Sequence, residues 1–148
     1  MIQKRLLIAW FVTGLFFSLW GLITCGTLFR WVYFIDPSVI YNTGLLNFSF
    51  QWASLAVLGN FIFAAVFVMI YSIIHSSIKA KGIKKGLIFG LLLWIMGSFL
   101  FFLRVSINLK PFVVFLYWTI NDFFVFLICG VIISLIYEKK DKRQKRFR

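Results

Sequence analysis

Acid is scarce in this chain. Its 148 residues hold only four aspartates and glutamates, one histidine, two cysteines and two prolines, and 14% of its residues are charged. Water-soluble domains carry about 25% charged residues, so a fold solvated by water on all sides does not fit. The lone histidine, His75, and the absence of a C-x-x-C pair leave no ligand set for zinc or a bis-histidine haem. Neither a metal nor another cofactor is expected. A pair of carboxylates for general acid–base work would have to be Asp36 and Asp122, which the spans below set far apart in depth. No Ser/His/Asp grouping, H-E-x-x-H motif or glycine-rich phosphate loop is present. The balance leans away from an enzyme.

Apolar residues are what the chain has in excess: 62% of it is hydrophobic, 21% aromatic, with a mean hydropathy of +0.97. They fall into four runs at about 6–29, 50–74, 86–103 and 111–137. Each suits a bilayer crossing, which takes about 20 apolar residues in a helix. The fold class follows: all-α, a four-helix transmembrane bundle forming one integral membrane domain. The first run exceeds the roughly 7–15 apolar residues of a cleaved leader, so it reads as a retained span. Cys25 and Cys129 then lie at opposite depths, too far apart for a disulfide.

The net charge of +12 has a direction. Lys4 and Arg5 precede span one; Lys79, Lys81, Lys84 and Lys85 separate spans two and three; seven more cations follow span four. The other side holds Arg30, Arg104 and Lys110, partly offset by Asp36. The positive-inside rule places both termini and the middle loop in the cytoplasm, in a multi-pass protein of the cell (inner) membrane. In the first outer loop, Asp36-Pro37 can open a short interfacial helix, since aspartate caps free amides and proline is tolerated at the first helical position. The tail, 138–148, reads as disordered and basic. It should lie on anionic lipid head groups at about 1 kcal/mol per cation, and it carries no folded module that would bind nucleic acid. The apolar faces leave room for a homo-oligomer or a larger membrane complex.

Small residues mark packing seams. Gly14, Ser18, Gly21 and Cys25 form a stripe on span one; Gly86, Gly90 and Gly97 share a face of span three, with Gly86-x-x-x-Gly90 at the close-approach spacing. Asp122 is the one acid inside a span. A charge there costs about 2.5–3.5 kcal/mol on insertion scales, so it should face protein or water and have a partner. Ser18, Asn60, Gly97 and Asp122 reach similar depths, which predicts that Asn60 hydrogen-bonds Asp122, with Ser18 or Asn121 completing the cluster. Arg104 starts about 12 Å nearer the outer face. It can act as counter-charge or, with Arg30, snorkel to the outer head groups. The cluster is either a polar clasp fixing helix register or a site for a proton, a cation or a head group. The expected function is therefore a non-enzymatic accessory or scaffold, or a small permeation or binding module around Asp122. The second reading is a membrane enzyme acting on a lipophilic substrate between helices.

Three segments carry a resemblance: Lys4-Arg5-Leu6-Leu7 opening a glycine-bearing span, Lys85-Gly86-Leu87-Ile88-Phe89-Gly90-Leu91-Leu92-Leu93-Trp94, and Trp118 through Asp122 to Gly130 and Ile136-Tyr137. With these the chain resembles a family of small four-span prokaryotic membrane proteins to which no activity is assigned. The resemblance implies a four-helix bundle. In size, span count and charge the chain is also similar to the trimeric glutathione- and eicosanoid-metabolising membrane enzymes, but Asn60 lacks their neighbouring arginine and glutamate. The glycine-arginine-tyrosine and threonine-rich signatures of small fluoride channels are absent too.

Overall fold

The computed structural model describes residues 2–24, 50–107 and 112–144. They form four helices: α1 (Ile2–Ile23), α2 (Phe50–Ile74), α3 (Ile83–Ile107) and α4 (Phe112–Gln144). No strand occurs among the described residues. The expected interfacial helix at Asp36-Pro37, Cys25, Arg30 and the outer end of span one lie outside them.

Each helix contains a stretch long and apolar enough to cross a membrane: Lys4–Ile23, Ser54–Ile74, Ile83–Leu100 and Phe115–Glu138. Only 22–33% of each stretch is buried inside the bundle. Large apolar side chains such as Leu55, Ile73, Met96 and Leu100 point outwards, each more than half exposed. Water would not tolerate such a surface around every helix, whereas acyl chains would. This is the architecture of a multi-pass membrane protein.

Several boundaries differ from expectation: α1 starts at Ile2 rather than about Leu6, and α3 runs on to Ile107 rather than about Leu103. The tail does not end its order at Glu138, because α4 continues to Gln144. Glu138, Lys139, Lys140, Lys142 and Arg143 are good helix formers with no glycine or proline among them, and Glu138 and Lys142 stand at the favourable i, i+4 spacing. Helix α3 also starts before Gly86, at Ile83, directly after Gly82 in a left-handed conformation (φ 58°).

The tightest pairing joins α3 and α4. A Cβ on Gly86 would lie 2.5 Å from the Gly130 carbonyl oxygen, and one on Gly90 would collide with the Phe126 carbonyl. The two helices therefore meet backbone to backbone. They run antiparallel, as the successive pairs Gly86–Gly130, Trp94–Phe123 and Phe102–Phe115 require. Helix α1 packs on α2 and α4. Its Gly14 is a socket for the Phe61 ring, which reaches to 2.6 Å from where a Cβ would stand.

Helix α2 meets α3 and α4 through aromatic rings. Phe67, almost fully buried, touches Phe17 of α1, Phe89 of α3 and Phe126 of α4 at centroid separations of 5.8, 5.0 and 5.5 Å. All three contacts are edge-on, the geometry the ring quadrupole favours, at about 0.5–1.5 kcal/mol per pair beyond area burial. In lipid such packing replaces the missing hydrophobic drive between helices.

Candidate functional site

Asp122 lies on the inward side of α4. Val125 and Cys129 follow it at i+3 and i+7 on the same face, and both are buried. Its carboxylate, half-buried, accepts a hydrogen bond from Asn121 Nδ2 at 3.3 Å. Asn121 is buried, and its Oδ1 accepts from the indole of Trp20 on α1 at 2.8 Å. Trp20 thus fixes which way the amide points, and the amide presents its N–H to the acid. Among the described residues, Asn121 is the only hydrogen-bond partner of Asp122, and no cation forms an ion pair with it.

The expected partners sort differently. Asn60 does not bond Asp122 among the described hydrogen bonds; its Nδ2 lies against α1, 3.7 Å from a Cβ built on Gly21. Ser18 is buried, but its hydroxyl donates to the Gly14 carbonyl of its own helix at 2.9 Å. A serine inside an apolar helix has that carbonyl always within reach, so it does not need the cluster. Gly97 offers only ordinary contact to the Phe126 ring, 3.7 Å from a built Cβ. The side chains of Arg104 and Arg30 lie outside the described residues. No group of three or more metal-ligating side chains occurs among the described residues, and Cys129 is a free, buried thiol.

Sequence reasoning missed the tryptophans. Trp10 Nε1 donates to the Phe61 carbonyl across α1–α2 at 2.7 Å, and Trp94 Nε1 to the Thr119 carbonyl across α3–α4 at 2.9 Å. With Trp20 they give three indole clasps, one at each helix pair in extended contact. A buried indole N–H needs an acceptor, which could have flagged these residues; which carbonyl it would find could not be read.

The second polar region is the basic end of the bundle. Gly82 is held on both sides by α4: Ser134 Oγ donates to its carbonyl at 2.7 Å, and its N–H donates to Glu138 Oε1. Ser134 and Glu138 are one turn apart, so one face of α4 grips the turn that launches α3. His75 closes α2 locally, its Nδ1 donating to the Ser72 carbonyl at 2.8 Å, a common use of histidine at a helix C-terminus. Between these elements and the start of α1 lies a cavity of about 720 Å³.

No protein-family model, curated protein or solved structure matches this chain, so its function has to be read from its own residues.

Proposed function

We propose that the chain is a multi-pass protein of the cell membrane, with both termini and the α2–α3 loop cytoplasmic. It serves as a small non-enzymatic binding module whose binding group is the Asp122 carboxylate. Membership of the four-span prokaryotic family that the sequence resembles is part of the same reading. The orientation rests on the cations collected at the α1 start, the α2–α3 loop and the α4 end.

One observation supports the binding role above the others. Asp122 is held by an amide that Trp20 orients, yet among the described residues it uses one of about four acceptor positions on a carboxylate. An acid kept inside an apolar bundle with most of its lone pairs free is arranged to accept something: a proton, a cation, or a polar group of a partner helix. If Asp122 served only to fix helix register, its acceptors would be spent on neighbouring helices.

The test is carbodiimide labelling of the purified protein in lipid. An apolar carbodiimide should mark Asp122 within the span, and added monovalent cation should protect it. Labelling indifferent to every cation, together with an Asp122→Leu variant less stable than the parent, would reduce the carboxylate to a structural clasp in a scaffold.

A further inference from the structure

The cavity at the basic end is lined by Arg5 of α1, Lys79 and Lys81 of the loop, Lys85 of α3, and Glu138 of α4. Four cations thus face one carboxylate, and that carboxylate already accepts the Gly82 amide. Among the described residues none of the four forms an ion pair. Like charges held around one hollow repel one another, and an entering anion would relieve that repulsion.

Three further features point the same way. Among the described residues Arg5 Nε and Tyr137 Oη are buried without a hydrogen-bond partner, and both residues border the cavity. A buried polar atom left unpaired costs about 1–3 kcal/mol, which an entering acceptor would remove. Helix α3 begins at the cavity with Lys84 and Lys85 in its first turn and no acid of its own there, Glu138 of α4 supplying the one carboxylate. Lysines at a helix N-terminus oppose the helix dipole, while an anion at the same place satisfies the dipole and Lys85, the one of the two that lines the cavity. Finally, the inner wall is aromatic. Tyr71, His75 and Tyr137 touch one another at centroid separations of 5.1–5.8 Å.

We propose that this cavity binds a phosphate group carried on a small organic body. The phosphate sits among Arg5, Lys79, Lys81 and Lys85 and accepts from the Tyr137 hydroxyl, and the body rests on the Tyr71–His75–Tyr137 wall. Arg5 supplies the planar fork that suits phosphate oxygens; the lysines act as point charges. The volume lies within the roughly 300–1,000 Å³ of small-molecule sites, well beyond what bare phosphate fills. An anionic phospholipid head group and a free phosphorylated metabolite share this chemistry. The site is separate from Asp122 and from the basic tail, which attracts any anionic surface without selecting one.

The experiment uses the full chain in neutral-lipid nanodiscs. Glycerol phosphate is titrated against thermal unfolding, with sodium chloride at equal ionic strength as reference. In parallel, retention of phosphatidylglycerol is read by native mass spectrometry. A saturable response to either probe is expected. Arg5→Gln with Lys85→Gln should weaken it at least ten-fold, and Tyr137→Phe about three-fold. Lys84→Gln and removal of the charges at Lys139 and Lys140 should leave it within two-fold. A response to glycerol phosphate alone identifies a soluble ligand; a response to phosphatidylglycerol alone identifies a lipid. Should the double variant fail to fold, Lys81→Gln and Tyr137→Phe carry the same comparison. Neither probe exceeding the chloride reference, or tail variants weakening binding as much as cavity variants, would overturn the proposal. Neither result depends on Asp122.

Discussion

Gly130 and Gly86 fill each other's missing side chains. A Cβ on either glycine would strike the other's carbonyl oxygen, so each Cα–H is aimed at the facing carbonyl instead. Weak Cα–H···O contacts of this kind recur where membrane helices touch backbone to backbone.

Alanine at Gly130 or Gly86 should therefore destabilise the bundle by about 1–3 kcal/mol or more, because backbone cannot move aside as a side chain can. Among the described residues Gly59 has nothing within 4 Å of a built Cβ. Gly59→Ala should be neutral or stabilise by up to about 1 kcal/mol through helix propensity. Unfolding in mixed micelles measures both, and equal effects at the three positions would refute the backbone contact.

Gly14→Ala should behave differently from Gly86→Ala. Its obstacle is the Phe61 ring, a side chain that can be shortened. The single variant should lose stability, and Gly14→Ala with Phe61→Leu should recover part of it. A strictly additive double variant would show that the two residues do not share the socket.

The grip of α4 on Gly82 is open to a graded test. Ser134→Ala leaves the Gly82 carbonyl without its side-chain donor and should cost about 1 kcal/mol. Glu138→Ala should cost a similar amount, whereas Glu138→Gln keeps an acceptor oxygen and should cost less. Gly82→Ala adds about 1–2 kcal/mol for a left-handed residue with a Cβ, and Gly82→Asn should be milder. Hydrogen exchange at the start of α3 would show whether loosening begins there.

Asn121→Leu removes the acceptor of Trp20 and the donor to Asp122 in one step. Trp20→Phe removes the first alone and should cost about 0.6 kcal/mol, the average for an interhelical hydrogen bond in a membrane. Asn121→Leu should exceed it and should alter carbodiimide labelling of Asp122, while Trp20→Phe should change labelling less. Equal labelling in both variants and the parent would mean that Asn121 does not orient the acid.

Much of the fold is legible in the sequence. A run of apolar residues must leave water whatever its neighbours do, so four helices, their approximate ends and the all-α class follow from composition and length alone. Helix α2 begins and ends at Phe50 and Ile74, as its apolar run predicts. Gly86-x-x-x-Gly90 announced a close approach because only glycine permits one. The partner of that motif, Gly130, was not announced; it stands singly among large residues and becomes meaningful only when α4 faces α3.

The Asp122 cluster divides at the same boundary. That the acid would need shelter was a property of the residue, since charge and hydrocarbon are incompatible in any fold. That Asn121 and Trp20 provide the shelter, with Asn60 set against Gly21 and Ser18 bonded within its own helix, depended on how each helix is rotated. In a soluble bundle the apolar stripe reveals that rotation. Here lipid-facing and buried sides are equally apolar, so no periodic contrast marks the inner face. Composition therefore determined that there would be four spanning helices with one acid among them. Which side chains meet was settled by glycine contacts, ring edges and indole hydrogen bonds, all of which act over a few ångströms and exist only once the helices are together.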